Sequence, residues 1–256
     1  MIQGIENFIE YFKDYEKDYI VIGGLATAMN MHELGFVFRA TKDIDLVVVA
    51  KENESFLKKL LAYIEEAGYQ TKQRTDNANR RNLFRFFDSE DKSYPEQIEL
   101  FVAHDTDSVL LKDQHIVPIH TPEDYAYLSA ILLDSDYFNL LLQHSTIIDG
   151  LHVATPEVLI PLKAHAYLNL TEAGSSDAKK HLNDVVKLST LLDGETQISL
   201  TGLPREDMDN FFAILSDLDE DRVVQLLKSI GVGGLLKGDI LSVMKSVYGT
   251  NVSMKN

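Results

Sequence analysis

The sequence predicts an α/β (α+β) first half built on a mixed sheet, followed by an all-helical second half. Three observations carry this. Short apolar runs bounded by glycine or polar turns recur up to residue 154, as strands do. Amphipathic stripes at helical spacing stand between them. After Thr155-Pro156 only helical spacing remains, which sets the expected domains at 1–154 and 155–256.

Each element has its own signal. Ile5, Phe8, Ile9 and Phe12 recur at helical spacing, so the chain opens on an amphipathic helix. Tyr19–Ile22 is a short apolar strand stopped by Gly23-Gly24, and Leu25, Ala28 and Met29 start a helix after that turn. Asp43–Val49 is the next strand. Phe56, Leu57, Leu60, Leu61 and Ile64 form a helical stripe that Gly68 ends. Tyr69–Arg74 and Leu83–Asp88 read as two strands around the polar turn Asp76-Asn77-Ala78-Asn79. Gln97–Ala103 is a further strand, and His115–Ile119 and Leu151–Ala154 are shorter ones. In the second half, Leu159, Leu162, Ala166 and Leu170 mark one helix, and Leu182, Val185, Val186 and Leu192 another. Three short helices follow near 205–216, 219–230 and 238–248, the last two separated by Gly231-Val-Gly-Gly.

Composition narrows the function classes. An apolar fraction of 45% and a charged fraction of 25% are those of an ordinary globular protein. The net charge of −16 argues against a broad grip on nucleic acid, which needs lysine and arginine on phosphates. A local basic groove stays open. No cysteine is present, which excludes disulfides, thiolate zinc sites and cysteine nucleophiles. The N-terminus lacks the basic and apolar regions of a signal peptide. No apolar run approaches the ~18 residues of a membrane helix. A cytoplasmic protein with no membrane partner is the simplest expectation.

The chemistry concentrates near the first two strands. Side chains alternate along a strand, so Asp43 and Asp45 point one way and Ile44, Leu46 and Val48 the other. Val47 and Val49 share the aspartates' face, so that face is not simply solvent. Glu99 is a lone acid inside the apolar run Ile98-Glu-Leu-Phe-Val. A buried carboxylate is costly unless it is paired or binds a metal. If the Glu99 strand lies beside the Asp43–Asp45 strand, three acids converge and suit Mg²⁺ or Mn²⁺ bridging to substrate phosphates. The bland alternative is a strand with two solvated acids. Gly23-Gly24, between a strand and a helix, either cradles phosphate with its backbone N–H groups or is an ordinary turn. Arg39 either meets a phosphate or caps its loop. Lys72, Arg74, Arg80, Arg81 and Arg85 form a basic ribbon across the predicted hairpin, either solvated or a place for a polyanion. The eight histidines show no metal-ligand spacing.

These residues resemble a known family. Val21-Ile-Gly-Gly-Leu-Ala, followed by Arg39-Ala-Thr-Lys-Asp-Ile-Asp-Leu, is similar to the DNA polymerase β-like nucleotidyltransferase superfamily. More narrowly it resembles the AbiEii-type branch, with its Gly-Gly pair and Arg-x-Thr-x-Asp-hydrophobic-Asp signature. That branch includes toxins of bacterial toxin–antitoxin and phage-defence systems. The resemblance covers about residues 20–190.

The resemblance implies a metal-dependent transfer of a nucleotidyl group from a nucleoside triphosphate to a hydroxyl of RNA or protein, with pyrophosphate released. It makes Asp43, Asp45 and Glu99 the metal-binding acids, with Asp43 and Asp45 on both of two metal ions and Glu99 completing the site towards the acceptor hydroxyl, and Mg²⁺ or Mn²⁺ as cofactor. It brings Gly23, Gly24 and Arg39 to the nucleotide. In the second half it points to Lys163 within Pro156-Glu-Val-Leu-Ile-Pro-Leu-Lys, and to Lys180 and Asp184 within Lys180-His-Leu-Asn-Asp. An antitoxin is an implied partner. Two departures stand out. His181 occupies the place of an expected aspartate, and Gly24 that of a serine common in the superfamily. Read from the residues alone, Lys163 also fits a lysine snorkelling from a buried helix, and Lys180–Asp184 an i,i+4 surface ion pair. A non-enzymatic nucleotide-binding or protein-interaction module on the same fold is the competing class.

Overall fold

A computed structural model describes residues 3–39, 41–50, 53–71, 74–75, 81–82, 85–103, 116–118 and 129–249; at 71, 74–75, 81–82, 116–118 and 129–132 only the backbone course is described. The chain divides into two compact units. One comprises Met1–Ala26 and Arg39–Ala154, the other Thr27–Phe38 and Thr155–Asn256.

The first unit opens with α1 (Ile5–Phe12), β1 (Tyr19–Ile22) and the start of α2 (Gly23–Glu33), whose later residues belong to the second unit. Then come β2 (Asp43–Val48), α3 (Glu54–Glu66), β3 (Gln70–Thr71), β4 (Arg74–Thr75), β5 (Arg81–Asn82), β6 (Arg85–Phe87) and β7 (Gln97–Ala103). The unit closes with β8 (Ile116–Pro118), β9 (Ser129–Leu133), α4 (Ser135–Gln143), β10 (Ser145–Ile148) and β11 (Leu151–Ala154).

The sheet is mixed. Its main path runs β10-β11-β1-β2-β7-β6-β3. β1 lies parallel to β11 and antiparallel to β2, while β2 and β7 are parallel. One edge of β7 is taken by β2. The other is shared, with β6 against Gln97–Glu99 and β9 against Phe101–Ala103. β1 is flanked on both edges and buried along all four residues, which is why it reads as a continuous apolar run rather than an alternation. β2 alternates at its start, with Asp43 and Asp45 half-buried and Ile44 and Leu46 fully buried.

An aromatic cluster anchors α1 and α3 beside the sheet. Phe8, Phe12, Tyr19, Phe56 and Tyr63 are all 0% exposed, and Phe8 meets Tyr19 and Tyr63 edge-on at 5.6 and 5.7 Å. Truncating one such ring costs about 3–5 kcal/mol. Asn53 starts α3 by accepting a hydrogen bond from the Phe56 N–H.

The predicted hairpin is present as β3, β4, β5 and β6, with β4 and β5 forming their own two-stranded ladder. Its turn at 76–79 lies outside the described residues. Three elements were not legible: β9, α4 and β10. They arise from one run, Ser129–Ile148, whose apolar residues fit no single period. The break comes from Asp134, whose carboxylate accepts from the N–H groups of Asp136 and Tyr137 and starts α4.

In the second unit the helices are α5 (Pro156–Glu172), α6 (Ala178–Leu188), α7 (Gly202–Asp217), α8 (Glu220–Lys228) and α9 (Lys237–Tyr248), with a 3₁₀ turn at Ser189–Leu191. Pro156 occupies the first turn of α5, where its missing N–H costs nothing. α5 packs on α6 and α7. The Tyr248 hydroxyl closes α9 onto α5 by donating to the Glu157 carbonyl at 3.0 Å. Among the described residues no helix is long and apolar enough to cross a membrane.

Candidate active site

Strand register, rather than sequence proximity, assembles the acids. β2 and β7 pair so that Asp43 lies beside Gln97 and Asp45 beside Glu99. Paired residues of neighbouring strands share a face. Asp43, Asp45 and Glu99 therefore stand on one face of the sheet. On its other edge Asp45 pairs with Ile22, the last residue of β1, which puts the next residue, Gly23, at the carboxylate.

The approach of Gly23 is close. Its φ is +69, in the left-handed region that favours glycine. A Cβ added there would sit 1.8 Å from Asp45 Oδ2. Gly24 faces a second pair of side chains, since its added Cβ would meet Thr41 Oγ1 at 2.8 Å and Arg39 Nη2 at 3.8 Å. So the start of α2, two glycines without side chains, lies against Asp45, Thr41 and Arg39. No separate turn precedes the helix, because the helix begins at Gly23 itself. This end of α2 presents N–H groups that the helix does not use, beside a cationic guanidinium and a hydroxyl. It suits an anion more than a cation.

Glu99 is 7% exposed and its charge is compensated internally. Arg85 is paired with it across β6 and β7. Arg85 Nε and Nη2 both donate to Glu99 Oε1, at 3.2 and 2.6 Å. Sequence reasoning placed Arg85 only in the basic ribbon. Its partnership with Glu99 has no local signal, because it depends on hairpin register. Of the rest of that ribbon, Lys72 and Arg80 lie outside the described residues, as do the side chains of Arg74 and Arg81.

A divalent ion fits part of this arrangement. Asp43 and Asp45 offer half-buried carboxylate oxygens on one face, and Mg²⁺ is commonly held by one or two carboxylates plus substrate phosphates. Among the described residues no three His, Cys, Asp or Glu side chains are grouped to hold a metal by themselves.

The second unit holds the remaining expected residues. Lys163 on α5 and Asp184 on α6 form a buried ion pair, Nζ donating to Oδ2 at 2.8 Å, with side chains 5% and 2% exposed. Lys163 does not snorkel to the surface. Lys180 lies 3.6 Å from Asp177 in an exposed pair, so Lys180–Asp184 is not the surface ion pair that their spacing suggests. The reason is the direction of α6, which turns Asp184 inward together with Val185 and Leu188.

One constellation in this unit was missed. Asp207 Oδ2 lies 2.7 Å from His165 Nδ1, and Asn169 Nδ2 lies 2.9 Å from His165 Nε2. A neutral ring with its proton on Nδ1 satisfies both contacts, donating to the carboxylate and accepting from the amide. The i,i+4 spacing of His165 and Asn169 was available in the sequence. The carboxylate from α7 was not.

No protein-family model matches the chain, and the search of curated proteins finds no match. Among solved structures it is similar to an antigenic nucleotidyltransferase-like protein from Paracoccidioides brasiliensis, at 12% identity and a TM-score of 0.42, over 90% of this chain and 94% of that one. It is similar to the antibiotic-resistance factor ANT(2'')-Ia at 15% identity and a TM-score of 0.43, over 83% of this chain and 91% of that one. It is also similar to the Megavirus polyadenylate synthase at 14% identity and a TM-score of 0.38, over 83% of this chain but 36% of that one.

Proposed function

We propose that the chain is a metal-dependent nucleotidyltransferase that moves a nucleotidyl group from a nucleoside triphosphate to a hydroxyl of RNA or protein. The observation that carries this reading is one row across the sheet. Glu99 pairs with Asp45, Asp45 pairs with Ile22, and the Gly23 backbone abuts the Asp45 carboxylate. Carboxylates for a cation and a glycine helix start for an anion thus adjoin, as a metal–triphosphate substrate requires.

In the reaction the acceptor oxygen attacks the α-phosphorus, the bond to the bridging oxygen breaks, and pyrophosphate leaves. The hydroxyl proton passes to solvent or to a nearby carboxylate. Mg²⁺ or Mn²⁺, when bound, supplies charge neutralisation at the phosphates. Asp43 and Asp45 hold that ion. Gly23 and Gly24 let the backbone approach the triphosphate, and Arg39 and Thr41 flank it. Glu99 completes the acid face on the acceptor side. Most of the rate comes from positioning and electrostatics.

For the second unit, Lys163, Lys180 and Asp184 are assigned to the nucleotide on the motif resemblance. A toxin role in a bacterial cytoplasm, with an antitoxin as partner, rests on that resemblance too. RNA is the favoured acceptor. Its transfer should fall steeply with salt, because each neutralised phosphate releases counterions, whereas transfer to protein should depend on salt only mildly.

The test is a melting curve with Mg²⁺ and a non-hydrolysable triphosphate. A ligand at 100 times its dissociation constant stabilises the native state by about 2.7 kcal/mol. For a chain of this size that is roughly 5–10 °C. Asp45→Asn should abolish the shift while remaining folded. An equal shift in that variant, or none in the wild type, would overturn the assignment.

A further inference from the structure

A second reactive group stands on the same face of the sheet as the acids. β10 and β11 are joined by the two-residue turn Asp149-Gly150, with φ +49 and +80, the pair of left-handed residues that a tight hairpin requires. That turn fixes the register. Ile147 lies opposite His152 and Ser145 opposite Ala154, so Ser145 and His152 are diagonal neighbours on one face. The His152 ring sits between two oxygens. Its Nδ1 lies 2.7 Å from the Glu16 backbone carbonyl and its Nε2 2.9 Å from Ser145 Oγ. A carbonyl only accepts, so Nδ1 carries the proton of the neutral ring and Nε2 accepts from the serine hydroxyl. A nucleophile bonded to a base that a third group orients is the arrangement that activates a serine. Ser145 and His152 are half-buried, and the adjoining Thr146 and Ile147 are exposed on β10, the last strand of the sheet's main path. Another molecule can reach the hydroxyl there.

The strand registers relate this pair to the acids. Ala154 adjoins Ile22, because Val153 pairs with Val21 in the parallel ladder, and Ile22 pairs with Asp45. Three strand spacings of ~4.8 Å put Ser145 roughly 14 Å from Asp45. Ala154 and Ile22, which lie between them, are 0% and 7% exposed. The α-phosphorus of a triphosphate held at Asp45 therefore does not reach the serine of its own chain.

Resting on the nucleotidyltransferase reading above, we propose that Ser145 is a nucleotidyl acceptor, served by the site of a second copy of this chain. That reaction needs a hydroxyl, and this one has its base in place. Ser145 Oγ attacks the α-phosphorus and its proton passes to His152 Nε2. The bond to the bridging oxygen breaks, and pyrophosphate leaves with that electron pair. The product is a phosphodiester on Ser145.

The test incubates the protein with Mn²⁺ and each triphosphate labelled at the α-phosphate, first alone and then with total cell RNA and protein. The wild-type chain should take label, and peptide mapping should place it on Ser145. Ser145→Ala should lose the label, and His152→Gln should lower it about 100-fold. Melting curves with Mg²⁺ and a non-hydrolysable triphosphate verify that both variants fold and still bind. Mixing separates the two copies. Tagged Asp45→Asn and untagged Ser145→Ala should each stay unlabelled alone, and together should put label on the tagged chain. Label elsewhere on the chain, equal label in Ser145→Ala or His152→Gln, or an unlabelled tagged chain overturns the proposal. So does label on cell RNA or protein with none on this chain, which leaves the nucleotidyltransferase reading standing. No transfer to any acceptor removes both.

Discussion

Alanine at Gly23 probes the contact on which the candidate site depends. Gly23 holds φ +69, a conformation that costs an L-residue about 1–2 kcal/mol. The new methyl group would also sit 1.8 Å from Asp45 Oδ2 and 2.8 Å from its Cγ. No real contact is that short, so the carboxylate must leave its rotamer at a further ~1 kcal/mol. The sum is about 2–3 kcal/mol, or a melting point lowered by roughly 4–12 °C. Because the displaced group is the proposed ligand, metal affinity should fall about tenfold, equivalent to ~1.4 kcal/mol. Gly24→Ala is the matched control. Its backbone is not in the left-handed region, and its methyl group would meet a rotatable hydroxyl, Thr41 Oγ1, at 2.8 Å. It should melt close to the wild type and keep its metal. Gly24→Val, which is bulkier, should weaken triphosphate binding more than metal binding. Thermal melts and Mn²⁺ dialysis on the three variants read all of this. Wild-type metal affinity and melting point in Gly23→Ala would refute the reasoning.

Further predictions concern the two cores. Breaking the Lys163–Asp184 pair by Lys163→Met or Asp184→Asn should cost about 3–5 kcal/mol in denaturant unfolding, because it removes one half of a buried ion pair. The double variant Lys163→Met/Asp184→Leu should recover most of that loss, and a double as unstable as the singles would contradict the pairing. The Tyr63 hydroxyl is buried without a hydrogen-bond partner among the described residues, so Tyr63→Phe should stabilise by on the order of 1 kcal/mol. A destabilised Tyr63→Phe would show that the hydroxyl is satisfied. Burial, and then the Glu66 carboxylate, push the Tyr11 phenol up to about 12 from its ordinary 10. Burial raises Tyr63 and Tyr248 as well. The folded state thus holds these protons more tightly than the unfolded chain. For Tyr11 that contribution is full below pH 10 and is lost as pH rises through about 12, while Tyr63 and Tyr248 keep their protons above that window. Phenolate absorbance should lag that of the denatured chain over this window. Coincident titration curves would be the contrary result.

The elements with long periodic signals were legible. α1, α3 and the helices α5 to α9 follow their apolar stripes, and β1, β2, β7 and β11 follow their apolar runs. That Asp43 and Asp45 share a face follows from the period of a strand alone. That Glu99 joins them does not, because Asp45 and Glu99 are brought together by the pairing of β2 with β7, and register is a tertiary fact. The same holds for Arg85 on Glu99 and for Asp207 on His165. Asp184 shows the opposite error. Local spacing offered Lys180 as its partner, while burial of that face of α6 hands it to Lys163, 21 residues away. The start of α2 at Gly23 was hidden because a Gly-Gly pair reads as a turn.

The central claim is that this chain transfers a nucleotidyl group, and the most direct test follows the α-phosphate. Each nucleoside triphosphate labelled at that position is incubated with the protein, Mg²⁺ or Mn²⁺, and total cell RNA and protein. The account predicts that label becomes covalently attached to an acceptor as unlabelled pyrophosphate is released, and that Asp43→Asn and Asp45→Asn abolish both. Label attached equally by Asp45→Asn, or no transfer from any triphosphate by a folded wild-type protein that binds it, would contradict the account.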